Sequence, residues 1–163
     1  MTRYITTPWR ARYIRTAGRA KGCVLCDALT LRSDRKALIL FRGDAYFIIL
    51  NKYPYTPGHL MIAPYRHTTA FERAAPAEAA EMAGLMQMAI RVLRSRYRPD
   101  GFNAGMNLGR SAGAGVTKHY HLHVVPRWTG DSNFLPLVSG TRTVTEDLDT
   151  TYERLRPLFE KEK

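Results

Sequence analysis

The sequence predicts an α+β domain: a mainly antiparallel sheet, one long central helix and a C-terminal helix. Three observations predict it. Two apolar runs, Ala37–Arg42 and Ala45–Asn51, flank Gly43-Asp44, which is the pattern of a hairpin. Pro76–Arg98 carries Met82, Leu85, Met86, Ala89 and Leu93 at three- and four-residue spacing, the stripe of an amphipathic helix. Further short apolar runs, His59–Ala63, Phe102–Leu108 and His119–Pro126, have strand length and turn residues between them.

Each element has local reasons. Lys52–Gly58 holds Pro54 and Pro57 and reads as a loop, and Pro64 ends the strand that follows it. Pro76 suits a first helical turn. Arg91, Arg94, Arg96 and Arg98 crowd the far end of that helix, where the helix dipole favours cations, and Pro99 stops it. Cys23–Leu31 reads as a short helix or turn, and Gly109–Gly115 as a glycine-rich loop. Glu146–Phe159 reads as the last helix, with Thr143 and Glu146 spaced as a capping box.

The 163 residues suffice for one domain with its own core. They divide into an N-terminal arm (1–22), the main domain (23–136) and a C-terminal helical extension of it (137–163). No apolar run is long enough for a signal peptide or a bilayer span, so a cytoplasmic protein with no membrane partner is expected. The net charge of +11 favours anionic partners without choosing among them. Nucleic acid is not expected, because no stacking motif accompanies the scattered charge.

The chemistry concentrates in His119-Tyr120-His121-Leu122-His123. Alternate residues of a strand share a face, so the three imidazoles form a row, expected to be solvent-accessible, and Tyr120, Leu122 and Val124 face the core. Three buried imidazoles side by side would each need partners, which argues against a purely structural role. Two roles fit: metal chelation, or nucleophilic catalysis by an imidazole that is unprotonated near neutral pH. Gly109, Gly113 and Gly115 stand just upstream, where backbone N–H groups can cradle an anion. Cys23-Val24-Leu25-Cys26 is a metal half-site, a redox pair or two inert thiols.

These motifs resemble the histidine-triad (HIT) superfamily. His119–Val125 fits its row of alternating histidines. Asn107-x-Gly109-x-x-Ala112-Gly113 matches its phosphate loop, and Asn51, Pro57-Gly58-His59-Leu60 and Pro64 fall in its order. The resemblance covers about Cys23 to Arg127. Trp128–Pro136, Pro8-Trp9-Arg10 and Tyr13-Ile14 resemble the bacterial and archaeal branch that includes diadenosine tetraphosphate phosphorylases.

The resemblance implies an HIT-like fold, a homodimer with a continuous sheet, and transfer of AMP from an adenylylated substrate such as a diadenosine polyphosphate. His121 would be the nucleophile, with His123 and His59 contacting it or the phosphate. Asn107 and the backbone of Gly113, Ala114, Gly115 and Val116 would hold the α-phosphate, and Asn51 the ribose hydroxyls. Phe41 and Ile49 would line the base pocket. Trp128 would either cover a base or phosphate chain or sit in the core. The resemblance also implies a structural Zn2+ on Cys23, Cys26, His67 and His119.

One departure from the common pattern bears on the acceptor: Ala114-Gly115 stands where many members carry Gln after Ala-Gly. Uridylyl or adenylyl transfer to a sugar phosphate, as in galactose-1-phosphate uridylyltransferases, is the alternative chemistry. A zinc-stabilised nucleotide-binding module without catalysis is the alternative class.

Overall fold

Strand β1 (Ile39–Arg42) pairs antiparallel with β2 (Tyr46–Leu50) across the Gly43-Asp44 turn, as the two apolar runs require. The computed structural model describes residues 22–131 and 146–162. The Pro8–Ile14 segment, the Ser132–Pro136 tail and Thr143 therefore lie outside the described residues. β3 (Leu60–Pro64), β4 (Gly101–Met106) and β5 (Leu122–Arg127) complete a five-stranded antiparallel sheet in the order β1-β2-β3-β5-β4. Before the sheet come two short helices, α1 (Val24–Thr30) and α2 (Asp34–Ala37).

One face of the sheet carries the main core. The long helix α3 (Pro76–Tyr97) lays Met82, Leu85, Ala89, Val92 and Leu93 on Ile48, Leu50, Leu60, Ile62, Leu122 and Val124. Glu78 stabilises its start by accepting from the Ala75 N–H at 2.9 Å. The C-terminal helix α4 (Leu148–Glu160) adds Tyr152, Leu155 and Phe159 to the same layer. Tyr120 joins it as well, as its strand phase predicts.

Helix α4 begins two residues later than its sequence pattern suggests. Asp147 is the cap, accepting from the Thr150 N–H at 2.8 Å. Glu146 is drawn away from the predicted capping role: it accepts from Tyr97 Oη at 2.6 Å and pairs with Arg154.

Among the described residues, the second face is covered on one half only. Cys23 and Leu25 of the α1 segment and Ala37 of α2 close over Ile39, Phe47, Ile49, Met61 and Ala63. The β5–β4 half keeps an open cleft of ≈ 340 Å³. In β4, Asn103, Ala104 and Gly105 are exposed.

A bulge in β1 decides which face Phe41 takes. Ile39 pairs with Ile49, but Phe41 pairs with Ile48, a slip of one residue. Such a slip moves a side chain to the opposite face. Phe41 thus packs beside Phe159 on the helix-covered face, with ring centroids 6.5 Å apart, and not in a base pocket beside Ile49. Arg156 of α4 donates to the carbonyls at the bulge, Leu40 O at 3.0 Å and Ile39 O at 3.4 Å.

Candidate active site

The histidine row is only partly strand. β5 begins at Leu122, so His119, Tyr120 and His121 form an approach segment in front of it. That segment is held by the chain following β3: Tyr120 N–H donates to Thr68 O at 2.8 Å and His119 Nε2 to Pro64 O at 2.8 Å. The expected open face is corrected accordingly. His119 and His121 are buried, at 0% and 5% exposure, and His123 alone of the row reaches the cleft.

The hydrogen bonds assign the tautomers. A backbone N–H can only donate, so Tyr55 N–H, 3.1 Å from His59 Nδ1, leaves the His59 proton on Nε2. His59 Nε2 then donates to His123 Nδ1 at 2.9 Å, which puts the His123 proton on its own Nε2. His121 Nδ1 lies 3.0 Å from the His119 carbonyl oxygen and must donate to it, so the lone pair of His121 is on Nε2. Burial pushes the His121 imidazole below the usual histidine value, partly offset by that carbonyl. A neutral ring with an in-plane lone pair is the form a nucleophile needs. The His121 and His123 rings meet edge to face, 4.7 Å between centroids.

His59 is delivered by Gly58. Its φ is +76°, and a Cβ there would stand 2.9 Å from Leu93 Cδ2 and 3.1 Å from Tyr97 Cε2. Only glycine turns the chain in that space. Asn51, one residue past β2, reaches the same corner: its Nδ2 is 3.3 Å from His59 Nδ1, and its Oδ1 accepts from Tyr53 N–H at 2.9 Å.

The glycine loop is more ordered than its composition suggests. Arg110–Ala112 forms a single 3-10 turn, with Gly109 and Gly113 both at φ +83°. Gly113 N–H donates inside that turn, to Arg110 O at 3.0 Å. Ala114 and Gly115 follow half-buried, and Val116 packs on the Ile49–Met61 cluster. Asn107, just after β4, lines the cleft with His123. Trp128, just after β5, is half-buried, and its backbone N–H donates to Asp131 Oδ2 at 3.2 Å.

Cys23, Cys26, His67 and His119 converge as predicted, with their ligand atoms within 4.8 Å of one another. Cys23 Sγ lies 3.4 Å and Cys26 Sγ 3.6 Å from His119 Nδ1, and Cys26 Sγ lies 3.2 Å from His67 Nδ1. A tetrahedral ion with Zn–S of ~2.3 Å and Zn–N of ~2.0–2.1 Å has S···N edges of about 3.5 Å, which these match. The Pro64 carbonyl holds the His119 proton on Nε2 and turns Nδ1 toward the sulfurs, as an outer partner does for a metal-binding histidine. Burial and the Cys23 neighbour push the Cys26 thiol up to about 11, a cost that a bound cation reverses. The four residues can hold a metal ion.

Residues 32–130 match the HIT domain family. The chain belongs to that family. The HIT match begins after Cys23 and Cys26, so the two sulfur donors lie outside the matched span. Among relatives, an AP-4-A phosphorylase of Mycobacterium tuberculosis is 45% identical over 119 residues, covering 73% of this chain and 61% of the relative. The chain thus spans about three-fifths of that relative's length. A bis(5'-adenosyl)-triphosphatase of Dictyostelium discoideum is 26% identical over 136 residues, covering 79% of this chain and 90% of the relative. Among solved structures, a hypothetical histidine triad nucleotide-binding protein of Sulfolobus tokodaii superposes with a TM-score of 0.67 at 26% identity. That superposition covers 85% of this chain and 93% of the other.

The HIT site also contains residues that the sequence did not single out. Tyr55 both fixes the His59 tautomer and stacks on its ring, 4.6 Å between centroids. Thr56 Oγ1 donates to Pro126 O at 2.9 Å, tying the Pro-flanked loop to β5. Asn103 and Arg127 face the cleft from β4 and β5. Phase predicts their shared face, since 123, 125 and 127 alternate together. Nothing in sequence spacing pairs 103 with 125.

Proposed function

We propose that this chain is a nucleotidyl hydrolase or transferase that cleaves an adenylylated substrate, such as diadenosine tetraphosphate, at the α-phosphorus through a covalent AMP–His121 intermediate. The observation that carries this reading is the tautomer chain: a lone pair on His121 Nε2 beside a proton on His123 Nε2. His121 Nε2 attacks the α-phosphorus, the P–O bond to the polyphosphate breaks, and the departing oxygen takes the proton from His123. In the second half-reaction an acceptor gives its proton to His123 and its oxygen attacks the same phosphorus, and the N–P bond breaks. Asn107 and the backbone of Gly115 and Val116 hold the phosphate, and Asn51 holds the ribose beside His59. Ile49, on the same face as Met61, contributes to the base pocket.

The acceptor we assign is inorganic phosphate. Ala114 and Gly115 offer backbone donors and no side chain to orient a water, and backbone N–H groups suit an anion. The name of the M. tuberculosis relative agrees with this reading. Diadenosine tetraphosphate would then yield ADP and ATP. With water it would yield AMP and ATP. Chromatography of products with and without phosphate tests it: ADP appearing in step with phosphate supports phosphorolysis, and AMP persisting in excess phosphate makes the chain a hydrolase.

Zn2+ on Cys23, Cys26, His67 and His119 would be structural, pinning the α1 segment to the approach segment of the histidine row. A homodimer that continues the sheet is in keeping with the exposed residues of β4, the last strand in the order. We place this chemistry in the cytoplasm. No described helix is long and apolar enough to cross a membrane.

A further inference from the structure

We propose that the cleft between β4 and β5 receives the departing half of the substrate, and that Arg127, fixed by Asp131 and Asn103 at the cleft's outer end, selects a leaving group that ends in a second nucleoside. This rests on the catalytic reading above and adds to it a specificity site.

The direction follows from His123. Its Nδ1 is engaged by His59, so its proton is on Nε2, and the side chain lines the cleft. A general acid must lie within hydrogen-bond reach of the oxygen it protonates. The departing group therefore begins at His123. On the other side of His123 stand Asn51 and Ile49, which the reading above assigns to the AMP half, so the departing half must leave in the other direction. Among the described residues, the cleft runs along β5 from His123 past Val125 to Arg127.

Length decides what reaches the end of that path. Four residues of strand span about 13 Å. A sulfate, an amine or a single phosphate leaving from His123 stops short of Arg127. A polyphosphate chain that carries a nucleoside extends to it. The cleft volume of ≈ 340 Å³ lies within the ~300–1,000 Å³ usual for small-molecule sites.

The guanidinium is built in place. Its Nε and Nη2 donate to the two oxygens of Asp131 at 2.6 and 2.7 Å, and its Nη1 donates to Asn103 Oδ1 at 2.6 Å. Asp131 is anchored in turn by the Trp128 N–H, at 3.2 Å. A bidentate arginine–carboxylate pair is flat and geometrically fixed, and a guanidinium plane stacks on aromatic rings. Asp131 balances the charge of Arg127, so the flat, charge-neutral pair suits a nucleoside more than a phosphate.

The test compares one long and one short leaving group. The ratio of kcat/KM for diadenosine tetraphosphate to that for adenosine 5′-phosphosulfate is measured in wild type, Arg127→Ala and Asn103→Ala. Arg127→Ala is expected to lower the ratio about tenfold, mainly through KM for the tetraphosphate. Asn103→Ala shifts it the same way by less. Equal losses on both substrates would mean that Arg127 only supports the fold and would overturn the inference, as would an unchanged ratio. If Arg127→Ala does not fold, Arg127→Lys, which keeps the charge and loses the fork, carries the comparison. Wild type that cleaves only the phosphosulfate overturns the specificity site and leaves the nucleotidyl-transfer reading standing. Wild type that cleaves neither substrate removes both.

Discussion

The main-chain carbonyl of His119 accepts from His121 Nδ1 at 3.0 Å, while the His119 ring turns Nδ1 toward Cys23 and Cys26. One residue therefore belongs to two sites. Its side chain is a candidate metal ligand, and its backbone sets the tautomer of the candidate nucleophile. Whatever fixes the His119 ring also fixes the acceptor that holds the His121 proton on Nδ1.

Metal content and nucleophile geometry should therefore move together. The chain is expected to carry about one zinc, lost in Cys23→Ser and Cys26→Ser. Removing zinc by chelation should lower the melting temperature and shift the 15N resonances of His121, whose Nδ1–H environment depends on the His119 carbonyl. Full-length protein with no metal by elemental analysis, or His121 resonances unmoved by metal removal, contradicts this coupling.

Gly58→Ala should destabilise the fold by about 1–3 kcal/mol, read as a lower denaturant midpoint. The new methyl would meet Leu93 and Tyr97 at φ +76°, and the strain falls one residue from His59. A midpoint equal to wild type would mean that the turn relaxes without cost and that His59 is not positioned by it.

Two phenylalanine substitutions separate the sheet faces. Phe41→Ala should cost stability and leave KM for nucleotide near wild type, since Phe41 packs with Phe159 on the face away from the histidines. Phe159→Ala should behave alike, with a loss of about 3–5 kcal/mol because its side chain is wholly buried. A large KM increase in Phe41→Ala with stability intact would return Phe41 to the base pocket.

The sequence makes some of this legible and hides the rest for physical reasons. The histidine row and the Cys-x-x-Cys pair are legible because their chemistry is written in local spacing. The hairpin and the long helix are legible because apolar periodicity reports which side is buried. The face of Phe41 is hidden, because one bulge residue in β1 reverses the alternation and no residue type there announces it. The burial of His121 is hidden too: it depends on Tyr120 N–H meeting Thr68 O, a contact between segments more than fifty residues apart. Gly113 illustrates a third case, since a loop glycine can spend its N–H on its own turn. The roles of Tyr55, Asn103 and Arg127 arise only when β4, β5 and the 52–58 loop are assembled around one cleft.

His121→Ala, with both ring nitrogens gone, should abolish turnover. Burial of the histidine means that some stability is lost as well, so folding must be checked by its melting curve. A folded His121→Ala chain that turns over at near the wild-type rate would exclude His121 from the mechanism.

The central claim is the covalent AMP–His121 intermediate, and intact-protein mass measurement tests it most directly. The chain is mixed with diadenosine tetraphosphate in the absence of phosphate, so that the intermediate accumulates, then quenched in alkali and digested to locate any adduct. The account predicts one adenylyl group per chain, carried on His121 and absent in His121→Ala. A chain that stays unmodified yet cleaves the same substrate once phosphate is added, or an adenylyl group carried on His123, would contradict it.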